Sequence, residues 1–301
     1  MLRRLVTAAA TVLALMLPAP LGAQASAPDP GLPGAYAAGY VDTTVSAAGR
    51  SFSARVHYPA TAAGNAQPVA TGRFPAIAFG HGFLQSISRY QSTLAHLASW
   101  GFIVIAPGSQ GGFSPSHSAF ADDLNAALTW AVAQDTTSGS RFAGRVSTDR
   151  LGLSGHSMGG GASILAAARN PRVVTVANLA AAETNPSAKA AAATLTIPVQ
   201  LVAGERDSIA GVADHQRPIY TSKLPAKQLR IIRGGYHCGF MDSSSLFCDS
   251  GGISRATQLQ ISKRLLTQWF LRHLAGDLAY DDAVWGTPAQ TDPAVSFEGV
   301  R

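Results

Sequence analysis

Charge is scarce in this 301-residue chain: Asp, Glu, Lys and Arg make up 13% of it, and cysteine occurs twice. The formal net charge of +6 is spread thinly, with no Lys/Arg cluster and no basic helix face, so nothing points to nucleic acid as a partner. No internal repeat, inter-domain linker, phosphate loop or metal-ligand cluster stands out. Gly159-Gly160-Gly161 has no acidic residue at ribose-binding distance, which argues against a dinucleotide site. No cofactor and no metal are expected. The apolar run Leu5 to Leu17 is too short to span a bilayer.

That run is flanked by Arg3 and Arg4 on one side and Ala23-Gln24-Ala25 on the other. The pattern reads as a secretory signal peptide over residues 1–25, without a lipobox. A secreted or periplasmic protein is expected, with no integral membrane segment in the mature chain. In that compartment the pair Cys238 and Cys248 reads as a disulfide. Residues 26–39 read as an arm, 40–276 as one domain and 277–301 as an extended tail with Trp285 packing back. A monomer is expected. The 47% hydrophobic content supplies an ample core.

Two alternating runs, Tyr40 to Ser46 and Ser51 to Tyr58, predict an antiparallel hairpin. Beyond them, short apolar runs alternate with helical patterns. The runs are Phe74 to Phe79, Phe102 to Ala106, Arg150 to Ser154, Val173 to Leu179, Val199 to Ala203 and Gln228 to Ile232. Helices are predicted over Ser88 to Trp100, Ser118 to Ala133, Ala162 to Arg169, His215 to Ser222 and Arg255 to Leu274. This alternation predicts an α/β fold with a mostly parallel central sheet and helices on both faces. Asp122 and Asp123 read most simply as surface charges complementing a helix dipole, with a supporting role behind the site as the alternative.

The stretch Gly155-His156-Ser157-Met158-Gly159 is a G-x-S-x-G match between an apolar strand and a small-residue helix. A serine lifted out of a sheet on so sharp a turn is a nucleophile, and the turn needs glycines beside it. The Met158 N–H then stands at a helix N-terminus, free to bind an oxyanion. A serine needs a base and the base an orienting acid, in chain order Ser, Asp/Glu, His. Of eight histidines, His237 alone follows the last parallel strand, after Gly234-Gly235. The acid follows an intervening strand: Asp207 after Val199 to Ala203, or Glu183 after Val173 to Leu179. The second oxyanion donor belongs to the loop after Phe79, at the Phe83 N–H.

These residues resemble the α/β-hydrolase superfamily, and more closely secreted bacterial cutinases and poly(ethylene terephthalate) hydrolases. The resemblance runs from about Tyr40 to Leu274. It rests on Gly82-Phe83, Leu97 to Phe102, Gly155 to Gly161, Glu205 to Ala210 and Gly234 to His237. It implies a triad of Ser157, Asp207 and His237, an oxyanion hole from Phe83 and Met158, and a carboxylic ester as substrate, short-chain or polymeric. One departure is local: polyester hydrolases carry a Trp where this chain has Ala180-Ala181-Ala182-Glu183. Gly80 to Leu84 and Gly101 to Pro107 also look like chlorophyllases, which, like platelet-activating-factor acetylhydrolases, place the acid near Glu183. An acyltransferase has the same residues. A non-catalytic binding protein would not need them. Only about twenty residues separate Leu179 from Val199, too few for a bulky lid, so an open groove is expected.

Overall fold

The computed structural model describes residues 27–244 and 246–301; the signal peptide expected over residues 1–25 lies outside them. One sheet holds the strands β1 (Ala37–Ala47), β2 (Arg50–Ala60), β3 (Gly64–Asn65), β4 (Phe74–Gly80), β5 (Ile103–Pro107), β6 (Val146–His156), β7 (Val173–Leu179), β8 (Val199–Gly204), β9 (Lys227–Ile232) and β10 (Val295–Val300). Their spatial order is β10-β9-β8-β7-β6-β4-β5-β2-β1-β3. The six strands from β9 to β5 are mutually parallel. The β1–β2 hairpin extends one side antiparallel through β5, and β10 closes the other against β9.

The helices are α1 (Gln91–Ser99), α2 (His117–Gln134), α3 (Met158–Arg169), α4 (Ala188–Ala192), α5 (Gln216–Tyr220), α6 (Arg255–Phe270), α7 (Asp281–Trp285) and α8 (Thr287–Gln290). Parallel strands covered on both faces must be apolar throughout, and every residue of β4 and β5 is buried. The period of two sorts their side chains between two cores. Ala76, Ala78, Ile103 and Ile105 face Phe120, Leu124 and Ile164 of α2 and α3. Ile77, Phe79 and Val104 face Leu94 and Leu97 of α1 and Leu265 and Phe270 of α6. Serine side chains at Ser116, Ser187 and Ser254 accept an N–H from the first turn of α2, α4 and α6 and so set where each begins. Among the described residues no helix is long and apolar enough to cross a membrane.

Two expectations are corrected. Asp123 is not a surface charge: its carboxylate is buried, accepting from Arg50 Nε at 2.7 Å and from Ser109 Oγ at 2.7 Å. It ties the β1–β2 turn and the loop after β5 to α2. Asp122 keeps the expected surface position and pairs with Arg169. The extended tail after Asp277 is instead α7, α8 and β10. Trp285 packs against Trp269 with ring centroids 5.6 Å apart. Strand β10 covers the edge that β9 would otherwise leave unpaired.

Burial holds three histidines, His57, His96 and His273, down to a pKa of about 4. Each binds its proton in the unfolded chain near the ordinary value of 6.5, well before it does so in the folded one. The unfolded state therefore holds more protons between these limits, and stability falls as pH falls from about 6.5 to about 4. Urea midpoints measured at pH 7 and pH 5 should decline, and His57→Gln should flatten that decline.

Candidate active site

Ser157 sits between β6 and α3 at φ 56° and ψ −121°, a region costly for any residue with a Cβ. Strain of this kind costs about 1–3 kcal/mol and persists only where surrounding structure imposes it. Here the Ser157 N–H donates to Leu179 O at 3.0 Å, and the Ser157 carbonyl accepts from Ala182 N–H at 2.9 Å and Gly161 N–H at 3.1 Å. The turn also runs backbone against backbone. A Cβ at Gly159 would lie 2.2 Å from the carbonyl of Gly80, and one at Gly155 would lie 2.4 Å from the carbonyl of Gly159. Glycine is required at both for contact rather than for φ. The helix begins at Met158 itself, four residues before Ala162, so the Met158 N–H belongs to a first turn that has no intrahelical acceptor.

His237 opens a short 3-10 turn, His237–Phe240, reached from β9 through Gly234 at φ 67°. Its Nδ1 is 2.8 Å from Asp207 Oδ2, with both side chains buried. The other oxygen of Asp207 accepts from the N–H groups of Ile209 and Ala210 at 2.9 and 2.7 Å. A carboxylate held on both oxygens fixes the imidazole: Nδ1 donates, leaving Nε2 as the ring's basic nitrogen. The loops carrying Asp207 and His237 are joined directly. Arg206 N–H donates to Gly235 O at 2.7 Å, and Gly234 N–H donates to Glu205 Oε2 at 2.7 Å. Glu183 is engaged elsewhere: its carboxylate accepts from the Lys189 N–H in α4, and its own N–H donates to His215 Nδ1.

Ser157 and His237 line one cavity of about 300 Å³, together with Phe83, His156, Ile209, Met241 and Phe247. Its mouth is apolar: Phe83 and Ile209 are each 46% exposed and Phe247 81%. The segment from Leu179 to Val199 contributes only the five-residue α4. Cys238 and Cys248 form a disulfide with Cα atoms 5.5 Å apart, closing the loop that carries Phe247. Sequence reasoning missed Asp249, which accepts the N–H groups of His237 and Cys238 at 2.8 and 2.9 Å. No motif marks it; it lies beyond the disulfide in a loop without periodicity. It also passed over His156. That ring is buried 4.5 Å from the His237 ring, and burial together with His237 holds its pKa well below the usual range.

A serine on a strained strand–helix turn, a buried His–Asp pair and a sheet of this order together are features of the α/β-hydrolase fold. The chain belongs to the PET hydrolase-like family, whose model matches residues 21–299. It is 31% identical to cutinase est2 of Thermobifida alba over 155 residues, covering 52% of this chain and 49% of that one. It is 28% identical to the bis(hydroxyethyl) terephthalate hydrolase of Streptomyces coelicolor over 234 residues, covering 76% and 66%. The match to the cutinase spans about half of that relative's length.

Asp249→Ala removes the acceptor of two buried N–H groups and should destabilise the protein by about 2–3 kcal/mol. Denaturant unfolding measures the loss, and Asp249→Asn should recover part of it.

Proposed function

We propose that this protein is an exported carboxylic ester hydrolase that works through an acyl-enzyme on Ser157. The observation that carries the reading is the His237–Asp207 bond of 2.8 Å beside a serine on the strand–helix turn, with base and serine on one cavity. In this reading Ser157 Oγ attacks the ester carbonyl carbon while His237 Nε2 takes the hydroxyl proton. Asp207 holds the tautomer and stabilises the imidazolium. The N–H groups of Phe83 and Met158 receive the oxyanion, each contributing roughly 3–4 kcal/mol to the barrier reduction. The tetrahedral adduct collapses, and the imidazolium returns its proton to the departing alcohol. Water then attacks the acyl-enzyme, giving a proton to His237. The acid leaves as Ser157 regains its hydroxyl proton.

The cavity walls indicate the substrate. Phe83, Ile209, Met241 and Phe247 offer apolar surface, and a cavity of about 300 Å³ with an exposed apolar rim suits a short acyl chain or one segment of a polyester. The relatives named for cutin and terephthalate esters support the same class. Export rests on residues 1–25 and on the disulfide. Cleavage after Ala25 would then release the mature enzyme.

Ser157→Ala should lower p-nitrophenyl butyrate turnover by at least about 10³-fold, and Asp207→Asn by about 10⁴-fold. Glu183→Gln should retain most activity, because its carboxylate serves α4. Wild-type turnover by Ser157→Ala would remove the serine mechanism. Phe247→Ala should raise KM for bis(hydroxyethyl) terephthalate more than for p-nitrophenyl acetate.

A further inference from the structure

We propose that Tyr90 is a positioning residue for the oxyanion loop, tying that loop to the residue that precedes the nucleophile. This rests on the serine mechanism above. Three segments distant in sequence meet at one phenol. Gly82 lies in the loop after β4, Tyr90 ends the turn Ile87–Tyr90 that leads into α1, and His156 is the last residue of β6. Tyr90 Oη accepts the Gly82 N–H at 3.0 Å and stands 2.9 Å from His156 Nδ1.

Two polar partners share this one phenol oxygen. The Gly82 N–H can only donate, so it occupies a lone pair of Oη. The bond between Oη and His156 Nδ1 runs in the direction that the tautomer of His156 sets, and it joins the two side chains in either case. Burial raises the Tyr90 pKa well above its ordinary value, so the phenol stays protonated. The ring of Tyr90 is fully buried against Phe79, with centroids 5.1 Å apart, and so has no contact with substrate. Its effect must pass through Gly82 and His156.

Gly82 is gripped from the other side as well. Its carbonyl lies 2.8 Å from His81 Nδ1 and accepts the Gln85 N–H at 3.0 Å. That carbonyl shares a planar trans peptide with the Phe83 N–H, and the two point in opposite directions. Holding Gly82 at both its N–H and its C=O therefore sets the direction in which the Phe83 N–H donates. The junction explains the glycine too: a Cβ at Gly82 would lie 3.1 Å from Tyr90 Oη and 3.2 Å from His156 Nδ1. At its far end the chain reaches the base, through the 4.5 Å contact between the rings of His156 and His237. The oxyanion loop, nucleophile turn and base are thus held in one register through a hydroxyl that reacts with nothing.

The test is Tyr90→Phe in the full mature enzyme, with a fluorophosphonate titration counting reactive serines. The expected result is a kcat for p-nitrophenyl butyrate, per titrated serine, lower by roughly 10- to 100-fold, with KM within about twofold. A trifluoromethyl ketone, whose adduct carries the oxyanion, should bind more weakly by the same factor as kcat/KM falls. A merely structural role would lower the melting temperature or the titrated fraction and leave kcat per serine intact, which would overturn the proposal. Should Tyr90→Phe fail to fold, His156→Leu removes the phenol's other partner instead. An undiminished kcat per serine in that variant would overturn the proposal equally. Where both fold, the double variant should lose no more than either single one, and additive losses would refute the coupling. A wild-type enzyme with no titratable serine would instead refute the serine mechanism itself.

Discussion

The contact of backbone on backbone where Gly155, Gly159 and Gly80 meet is the constraint on which the rest of this structure depends. With no Cβ at these positions, α3 is drawn onto the ends of β4 and β6, and the chain between strand and helix must turn within one residue. Ser157 occupies that residue and takes the cost of a positive φ. Three backbone hydrogen bonds to β7, the loop after it and α3 hold it there. A bulkier residue at Gly159 would push the helix away, relax the turn and lower the serine back toward the sheet.

Each other part of the site is placed by reference to that turn. The parallel strands all end on the same side, so the loops after β4, β8 and β9 arrive at Ser157 with few residues to spare. Short loops leave little freedom, and what freedom remains is removed by polar ties. The loops of Asp207 and His237 bond to each other through Arg206, Gly235, Gly234 and Glu205. Asp249 and the Cys238–Cys248 bridge hold the His237 loop from behind. The loop after β4 is held by His81, Gln85 and Tyr90 at a single glycine. The bonds at Gly82 are buried and costly to break, because the groups they release have no water to replace them, whereas the Glu205–Gly234 bond is open to solvent.

The parts legible in the sequence are those where local chemistry admits one answer. The apolar runs from Phe74 to Ile232 could be buried on both faces only in a parallel sheet. The Gly155 to Gly159 pattern could serve only as a sharp turn. Where chemistry admits two answers, pattern reasoning erred or stayed open. Asp123 lies beyond the first turn of α2, and an aspartate early in a helical pattern looks like a dipole partner whether it faces water or Arg50. The residues after Asp277 carry Gly, Pro and polar residues, and nothing in them announces that β10 would find the exposed edge of β9. Asp207 and Glu183 both follow strands, and their order in the chain is the same with respect to Ser157 and His237.

By itself, the sequence determined that this is an α/β sheet protein with a serine on a tight turn and a histidine after the last parallel strand. Glycine spacing and hydrophobic period are properties of neighbours in the chain, and they need no knowledge of the fold. Tertiary structure alone decided which carboxylate bonds to His237, that Asp249 braces it, and that Tyr90 joins Gly82 to His156. Those contacts connect residues 8 to 66 positions apart, across separate loops and strands. Their geometry depends on how strands stack in the sheet, a quantity that no local pattern carries.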